Sequence, residues 1–240
     1  MSRMRKVGVA VAPEVALAVW PGAPPLRLPI RGPDSLADAM GAIREAVAGE
    51  ASARDRRRPP VRVRVVFVPP LADVRRIELP RLRMEETGAV LARHPGRYFP
   101  AARDPQVVAW SPLERPTGGS QRLLAAAVPT VWVEAARDAV LAAGGLPDDA
   151  VPAHPAWAAA GAVRGVRDGV VLVDLDARAV VVALRGGRVA DAAALPANDT
   201  ALVESRLREL AEEGATVRLD GDPAKIAAVN AFRAASKLTP

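Results

Sequence analysis

Alternating strand and helix patterns predict an α/β fold with mixed sheets, and three features of the chain carry that prediction. Gly169-Val-Val-Leu-Val-Asp174-Leu-Asp176-Ala-Arg-Ala-Val180-Val-Val-Ala-Leu184-Arg-Gly186-Gly187-Arg-Val-Ala190 reads as two strands covered on both faces, followed by a tight hairpin. Valine and leucine crowd residues 170–184, and Gly186-Gly187 supplies the positive-φ pair that a two-residue primed turn requires. Val61-Arg-Val-Arg-Val-Val-Phe-Val68 alternates like a half-exposed strand with a basic outer side and a valine inner side. Leu36, Met40, Ile43 and Val47 recur at spacings of four, three and four, which places them on one buried helix face behind a cap at Asp34 or Ser35.

The remaining elements follow in order. Residues 5–12 and 14–20 form a Val/Ala strand pair closed by Trp20, and Pro24–Ile30 adds an edge-like strand, since proline is tolerated only at edges or ends. Residues 74–79 suggest a strand and 84–93 a short helix that Pro95-Gly96 ends. Residues 106–111 and 121–128 read as strands separated by Thr117-Gly-Gly-Ser120. A helix starts at Thr130, shows Val133, Ala136, Val140 and Leu141 on one face, and stops at an αL cap in Gly144-Gly145. Helices at about 155–164, 199–213 (capped by Asn198 or Asp199) and 223–236, with a strand at 216–219, complete the pattern. No internal repeat stands out.

Composition bounds the function. At 240 residues, half of them apolar, the chain suits one large domain or two small ones with a sizeable core. The absence of cysteine excludes disulfides and thiolate chemistry. No apolar run approaches the roughly 20 residues that span a bilayer, and the start of the chain lacks a convincing signal-peptide core, so a cytoplasmic location is expected. The net charge of +6 is local: residues 51–100 hold twelve arginines against five acids, and the remainder sums to about −1. Arg54, Arg56, Arg57 and Arg58 lie in a Pro-bounded connector, read first as a solvated loop and second as a weak anionic-membrane contact. Nucleic acid is disfavoured, because only eight aromatic residues exist and none interleaves with that cluster.

Four passages together resemble the PilM family of type IV pilus assembly and the cytoplasmic domains of GspL in type II secretion. They are Val7-Gly-Val-Ala10-Val-Ala12-Pro-Glu; Arg76-Ile-Glu-Leu-Pro80 with Met84-Glu-Glu and Tyr98-Phe-Pro100; Leu123–Thr130 with Ala143-Gly-Gly-Leu146; and the hairpin at 169–190. The resemblance implies an actin-like (ribonuclease H-like) fold with mixed sheets, helices and an inserted small α+β subdomain. It divides the chain into residues 1–60, the N-terminal part of a first actin-like subdomain; 61–128, the insertion; 129–168, helices completing the first subdomain; and 169–240, a reduced second subdomain.

The departures from that family are chemical. A nucleotide site of this kind needs glycines at two phosphate hairpins, where backbone N–H groups approach the phosphates, and a strand-borne aspartate behind Mg²⁺. Ala10 and Ala12 take the aspartate and glycine positions of the first hairpin, and Asp176 replaces the glycine of the second. Asp174 and Gly221 are the residual cofactor-binding positions, the latter flanked by Asp220 and Asp222. A carboxylate about 5 Å from a phosphate charge costs on the order of 3 kcal/mol at an effective dielectric near 20, or roughly two decades of affinity. The expectation is a pseudo-ATPase with no cofactor and no catalytic residue, with Mg-ATP binding as the alternative. Asp174 otherwise reads as a hydrogen-bonded residue at a strand end.

Other chemistry is thin. His94 and His154 each adjoin a proline and suggest no metal site, and no serine sits in a nucleophile elbow. Asp148-Asp149 and Glu212-Glu213 stand at segment ends, where capping or solvation accounts for them, and Asn198-Asp-Thr200 serves as a cap. The family resemblance implies a scaffold, peripheral at the inner membrane, that grips the cytoplasmic N-terminal tail of a PilN-like protein. Val63, Val65, Phe67, Ile77, Leu79 and Leu82 would be walls of the groove. A motor ATPase, a homodimer and a weak membrane contact through Arg54–Arg58 are further partners. The rival classes are a working ATP-dependent enzyme of the actin and kinase superfamily and a basic nucleic-acid module.

Overall fold

The computed structural model describes residues 5–49, 61–100, 104–113, 118–152, 167–175, 178–196, 198–212 and 217–220. In chain order the elements are β1 (Arg5–Val11), β2 (Val15–Val19), β3 (Leu26–Pro29), α1 (Leu36–Gly49), β4 (Val61–Phe67), β5 (Asp73–Pro80), α2 (Met84–Arg93) and α3 (Pro95–Tyr98). There follow β6 (Gln106–Pro112), β7 (Ser120–Pro129), α4 (Thr130–Ala142), β8 (Leu146–Pro152), β9 (Gly169–Leu175), β10 (Arg178–Arg185), β11 (Arg188–Pro196), α5 (Thr200–Glu212) and β12 (Val217–Asp220). The helices expected at 155–164 and 223–236 lie outside the described residues. Two compact units result: Met1–Asp73 with Gly88–Ala109 and Ala127–Ala153, and Val74–Thr87 with Trp110–Ala126 and His154–Pro240.

The first unit is built on a five-stranded sheet of order β3-β2-β1-β4-β8. β1, β2 and β3 form an antiparallel meander, while β4 runs parallel to β1 and β8 parallel to β4. Register pairs Val9 with Ala18 and with Val65, so Val7, Val9, Val11, Ala16, Ala18, Val61, Val63, Val65 and Phe67 share one buried face. Helices lie on that face. Arg5 Nη1 donates to the Val47 carbonyl of α1 at 2.7 Å. A Cβ on Gly145 would meet Val140 of α4 at 3.1 Å and Val63 at 3.4 Å, so the bare glycine permits the close approach of α4 to β4. The sheet extends past residue 60, because β4 pairs with β1 over its whole length from Arg5↔Val61 to Val11↔Phe67.

Helix faces follow the apolar spacing, with one exception. Leu36, Met40, Ile43 and Val47 of α1 are buried, joined by Ala39. In α4 the buried set is Trp132, Ala136, Ala139 and Val140, whereas Leu141, expected on the same face, is 52% exposed. One residue turns the helix by about 100°, which carries position 141 off a face centred between 136 and 140. Gly144 takes φ +68°, and the Gly145 N–H donates to the Val140 carbonyl, so the helix ends in the expected αL cap. Pro95 ends α2 but also opens α3, a single turn in which proline at the first position sacrifices no donor.

The second unit contains a four-stranded sheet of order β11-β10-β9-β12. Its first three strands are again an antiparallel meander, and β12 runs parallel to β9. The two sheets therefore repeat one pairing plan, a repeat carried by register and not by residue identity: β1 is RKVGVAV and β9 is GVVLVDL. The β10–β11 hairpin turns at Gly186 (φ +57°) and Gly187 (φ +76°), as expected for a primed turn. The turn is held from below, with the Gly186 N–H donating to Asp168 Oδ1 and the Gly187 N–H to the Arg167 carbonyl, both at 2.7 Å. α5 is capped by Asp199, whose Oδ1 accepts the Leu202 N–H at 3.0 Å. In a three-stranded sheet of order β5-β7-β6, Gln121 of β7 is buried with Thr87 of α2: Gln121 Nε2 donates to Thr87 Oγ1 and that hydroxyl donates to the Arg83 carbonyl.

β8 is the strand that sequence patterning does not reveal. Leu146-Pro-Asp-Asp-Ala-Val-Pro152 has two prolines and two acids and no alternation, yet it pairs as a sheet edge, the one place where proline costs no ladder bond.

Candidate functional site

The first hairpin turns at Pro13-Glu14, and the Ala12 N–H is already committed to the Val15 carbonyl at 2.9 Å. Phosphate-gripping turns offer free backbone donors to an anion. Here one donor is used internally, proline removes a second, and an exposed carboxylate stands at Glu14. The Glu14 carbonyl itself accepts the Ile30 N–H at 3.0 Å, fixing the turn against the end of β3. Sequence reading singles out Ala10 and Ala12, both half-buried, and overlooks that Pro13 and Glu14 form the turn itself.

In the second hairpin Asp174 is the penultimate residue of β9 and pairs with Ala179, while Leu175 and Arg178 form the last pair. β12 ends level with the same hairpin, at Asp220 beside Val173. Asp176, Gly221 and Asp222 lie outside the described residues. Counted back from the last strand pair, Asp174 corresponds to Val11 of the first hairpin and not to Ala10, because Ala12 pairs with Val15 there. The two hairpins close alike, and it is the expected match of Asp174 with Ala10 that is off by one residue.

The residues expected to line a partner groove are interior. Val63, Val65 and Phe67 are 6%, 3% and 1% exposed on a strand whose two edges are occupied by β1 and β8. No backbone group of β4 can add a strand, and those side chains belong to the core. Ile77 and Leu79 are likewise buried on β5, and Leu82 is half-buried after it. β5 differs in being an edge of its three-stranded sheet, with Arg75, Arg76 and Glu78 pointing outward.

The outer side of β4 is not simply solvated. Pairing between β4 and β8 slips between Val63↔Pro147 and Arg64↔Asp149, leaving Asp148 as the extra residue of a bulge. From there its two carboxylate oxygens accept from Arg62 Nη1 at 3.1 Å and Arg64 Nη2 at 3.3 Å. Capping or solvation therefore does not account for Asp148: it spans two arginines that alternate outward along one strand. Arg54, Arg56, Arg57, Arg58 and His154 lie outside the described residues. His94 is exposed at the start of α3, and among the described residues no three potential metal ligands cluster.

A second ionic feature has no sequence signal. Asp191 of β11 is 9% exposed and pairs with Arg206 of α5, whose Nη1 also donates to Glu209 Oε2 at 2.6 Å. A bulge at Ala190 creates it: Ala183 pairs with Asp191 but Leu184 with Val189, and the slip fixes which face the aspartate takes.

No helix among the described residues is long and apolar enough to cross a membrane. No family model matches the sequence, and no curated protein matches it. In three dimensions it is similar to a chain of a PilM-PilN type IV pilus biogenesis complex, with TM-score 0.58 and 20% identity over 98% of this chain and 71% of that one. A protein of Bacteroides thetaiotaomicron with an actin-like ATPase fold and unknown function gives TM-score 0.57 at 10% identity, over 97% of this chain and 88% of that one. The cytoplasmic domain of EpsL, an inner membrane component of the type II secretion system of Vibrio cholerae, gives TM-score 0.49 at 14% identity, over 84% and 75%. Mixed sheets that match the first two of these structures over nearly the whole chain give the protein an actin-like α/β fold.

Proposed function

We propose that the protein is a cytoplasmic scaffold of a type IV pilus or type II secretion machine, holding the N-terminal tail of a PilN-like inner-membrane protein. The observation that carries this reading is the likeness to a chain of a PilM-PilN complex over 98% of the sequence. The nucleotide chemistry of the actin-like fold is lost in this proposal. A turn made of Pro13 and Glu14, with the Ala12 N–H spent internally, offers an incoming phosphate a carboxylate in place of donors.

The tail would bind as an extended peptide through main-chain hydrogen bonds, and of the strands expected to line the groove β5 is a sheet edge among the described residues whereas β4 is enclosed. Arg54, Arg56, Arg57 and Arg58 would add attraction to anionic lipid of about 1 kcal/mol per side chain near the surface. Titration calorimetry tests both halves. A synthetic peptide of the first residues of a PilN-like protein from the same genome is expected to bind at micromolar concentration, and Mg-ATP at millimolar concentration to give no heat. Absence of peptide binding sinks the scaffold reading. Heat with Mg-ATP that disappears in Asp174→Ala restores the ATP-dependent one.

A further inference from the structure

The face of the first sheet opposite α1 and α4 is amphipathic from strand to strand. Register puts Lys6 beside Arg62, Gly8 between Val19 and Arg64, and Ala10 between Leu17 and Val66, all on that one face. Gly8 and Ala10 have almost no side chain, so β1 forms a shallow floor between two unlike banks. On the β2 bank Leu17 and Val19 are 38% and 46% exposed, large apolar side chains that the fold leaves in water. On the β4 bank the exposed Arg62 and Arg64 stand about 7 Å apart along the strand, with Lys6 about 5 Å to the side. Arg27 of β3, paired with Leu17, adds a fourth cation. Among the described residues the acids of this face are Asp148, which bridges the two arginines, and Asp149, level with Arg64, so the cations are in excess.

We propose that this face is a lipid contact, which takes the headgroups of an anionic bilayer at Lys6, Arg62 and Arg64 and lets Leu17 and Val19 sink to the headgroup boundary. Aliphatic side chains beside cations gain from both parts of an anionic membrane, its charge and its apolar interior. A nucleic acid would use the cations alone, and no aromatic residue stands in these rows to stack a base. The cytoplasmic tail of an inner-membrane protein, with its usual excess of Lys and Arg, would be repelled. None of these residues belongs to the connector arginines 54–58, and the assignment stands on the sheet alone, whether or not the protein serves as a scaffold.

Flotation of the full chain with vesicles tests the assignment. The chain is expected to float with mixed phosphatidylglycerol and phosphatidylcholine vesicles in about 50 mM salt, to stay behind with phosphatidylcholine alone, and to be released near roughly 500 mM salt. Each basic side chain near an anionic surface is worth about fivefold in partition, so the triple change Lys6→Ser, Arg62→Ser and Arg64→Ser should weaken binding on the order of a hundredfold. Asp148→Ala frees both arginines and should move the other way, strengthening binding about fivefold with an unchanged far-ultraviolet spectrum. Leu17→Ser with Val19→Ser alters no charge and should weaken binding about tenfold. Absence of flotation with the anionic vesicles overturns the proposal. Flotation that the triple change or the Leu17 and Val19 pair leaves intact does so too, because the contact then lies elsewhere, as does capture of duplex DNA or polyglutamate without vesicles. Binding of a PilN-like peptide is measured without lipid, so its failure and the failure of this proposal are separate results.

Discussion

β2 and β10 hold the same place in their sheets, each the middle strand of an antiparallel meander, yet their side chains meet opposite surroundings. β2 alternates, with Ala16 and Ala18 fully buried and Leu17 and Val19 38% and 46% exposed. Ala179 to Leu184 of β10 are all 5% exposed or less. One sheet is covered on a single described face, by α1 and α4, and the other presents no open face at its middle strand. Backbone pairing thus specifies the repeated plan, and the side chains only decide how many faces it may hide. A turn of Pro13 and Glu14 is compatible with every strand pair of the first meander.

Charge insertion is the sharpest way to break this comparison. Val181→Asp and Val182→Asp point to opposite faces of β10, and both should cost on the order of 5 kcal/mol or more and prevent folding, because each buries an unpaired carboxylate. In β2 the same experiment should split: Ala18→Asp fails, while Leu17→Asp changes stability by less than about 0.5 kcal/mol. Urea unfolding followed by circular dichroism measures all four. Tolerance of Val182→Asp would show that β10 has an open face after all.

Much of this contrast was legible in the chain. Alternation in Val61–Phe67 marks a one-faced strand and the unbroken apolar run at 179–184 a two-faced one, while Gly186-Gly187 marks a turn through positive φ at both residues and Gly144-Gly145 a cap through positive φ at Gly144 and close approach at Gly145. What could not be read was pairing between distant residues. Asp148 looks like a helix-end carboxylate until a slip in register against Val63 and Arg64 makes it a bulge between two arginines. Val63, Val65 and Phe67 looked available to a partner because nothing local indicates that β1 and β8 enclose them. The departures at Ala10 and Ala12 are visible as composition, whereas the turn at Pro13 and Glu14 emerges only from the pairing of Ala12 with Val15.

The ionic features of the two units differ in burial, and their energies should differ accordingly. Arg206→Ala strands the 9%-exposed Asp191 and is expected to cost about 2–3 kcal/mol, with Asp191→Ala in the same background recovering more than half of it. A double-mutant cycle in guanidinium chloride gives the coupling directly. Additive losses would mean that the pair contributes nothing specific. Gly187→Ala should cost about 1 kcal/mol, because φ +76° crowds any Cβ although no atom stands in its way. An effect near zero there would deny that the β10–β11 turn holds its primed geometry.

Asp148→Ala is expected to be the mildest change, below about 1 kcal/mol, despite removing two ion pairs. Arg62 and Arg64 side chains are 43% and 58% exposed, so water already screens both contacts and the long side chains give up rotamer freedom to make them. The consequence of the substitution is electrostatic. Two arginines two residues apart on one strand face lose their shared counter-charge, so the variant should lose stability at low salt relative to high salt, whereas the parent responds weakly. Thermal unfolding at roughly 10 mM and 500 mM salt separates the cases. Equal salt responses in parent and variant would mean that the bulge, and not the charge, is what Asp148 contributes to the β4–β8 edge.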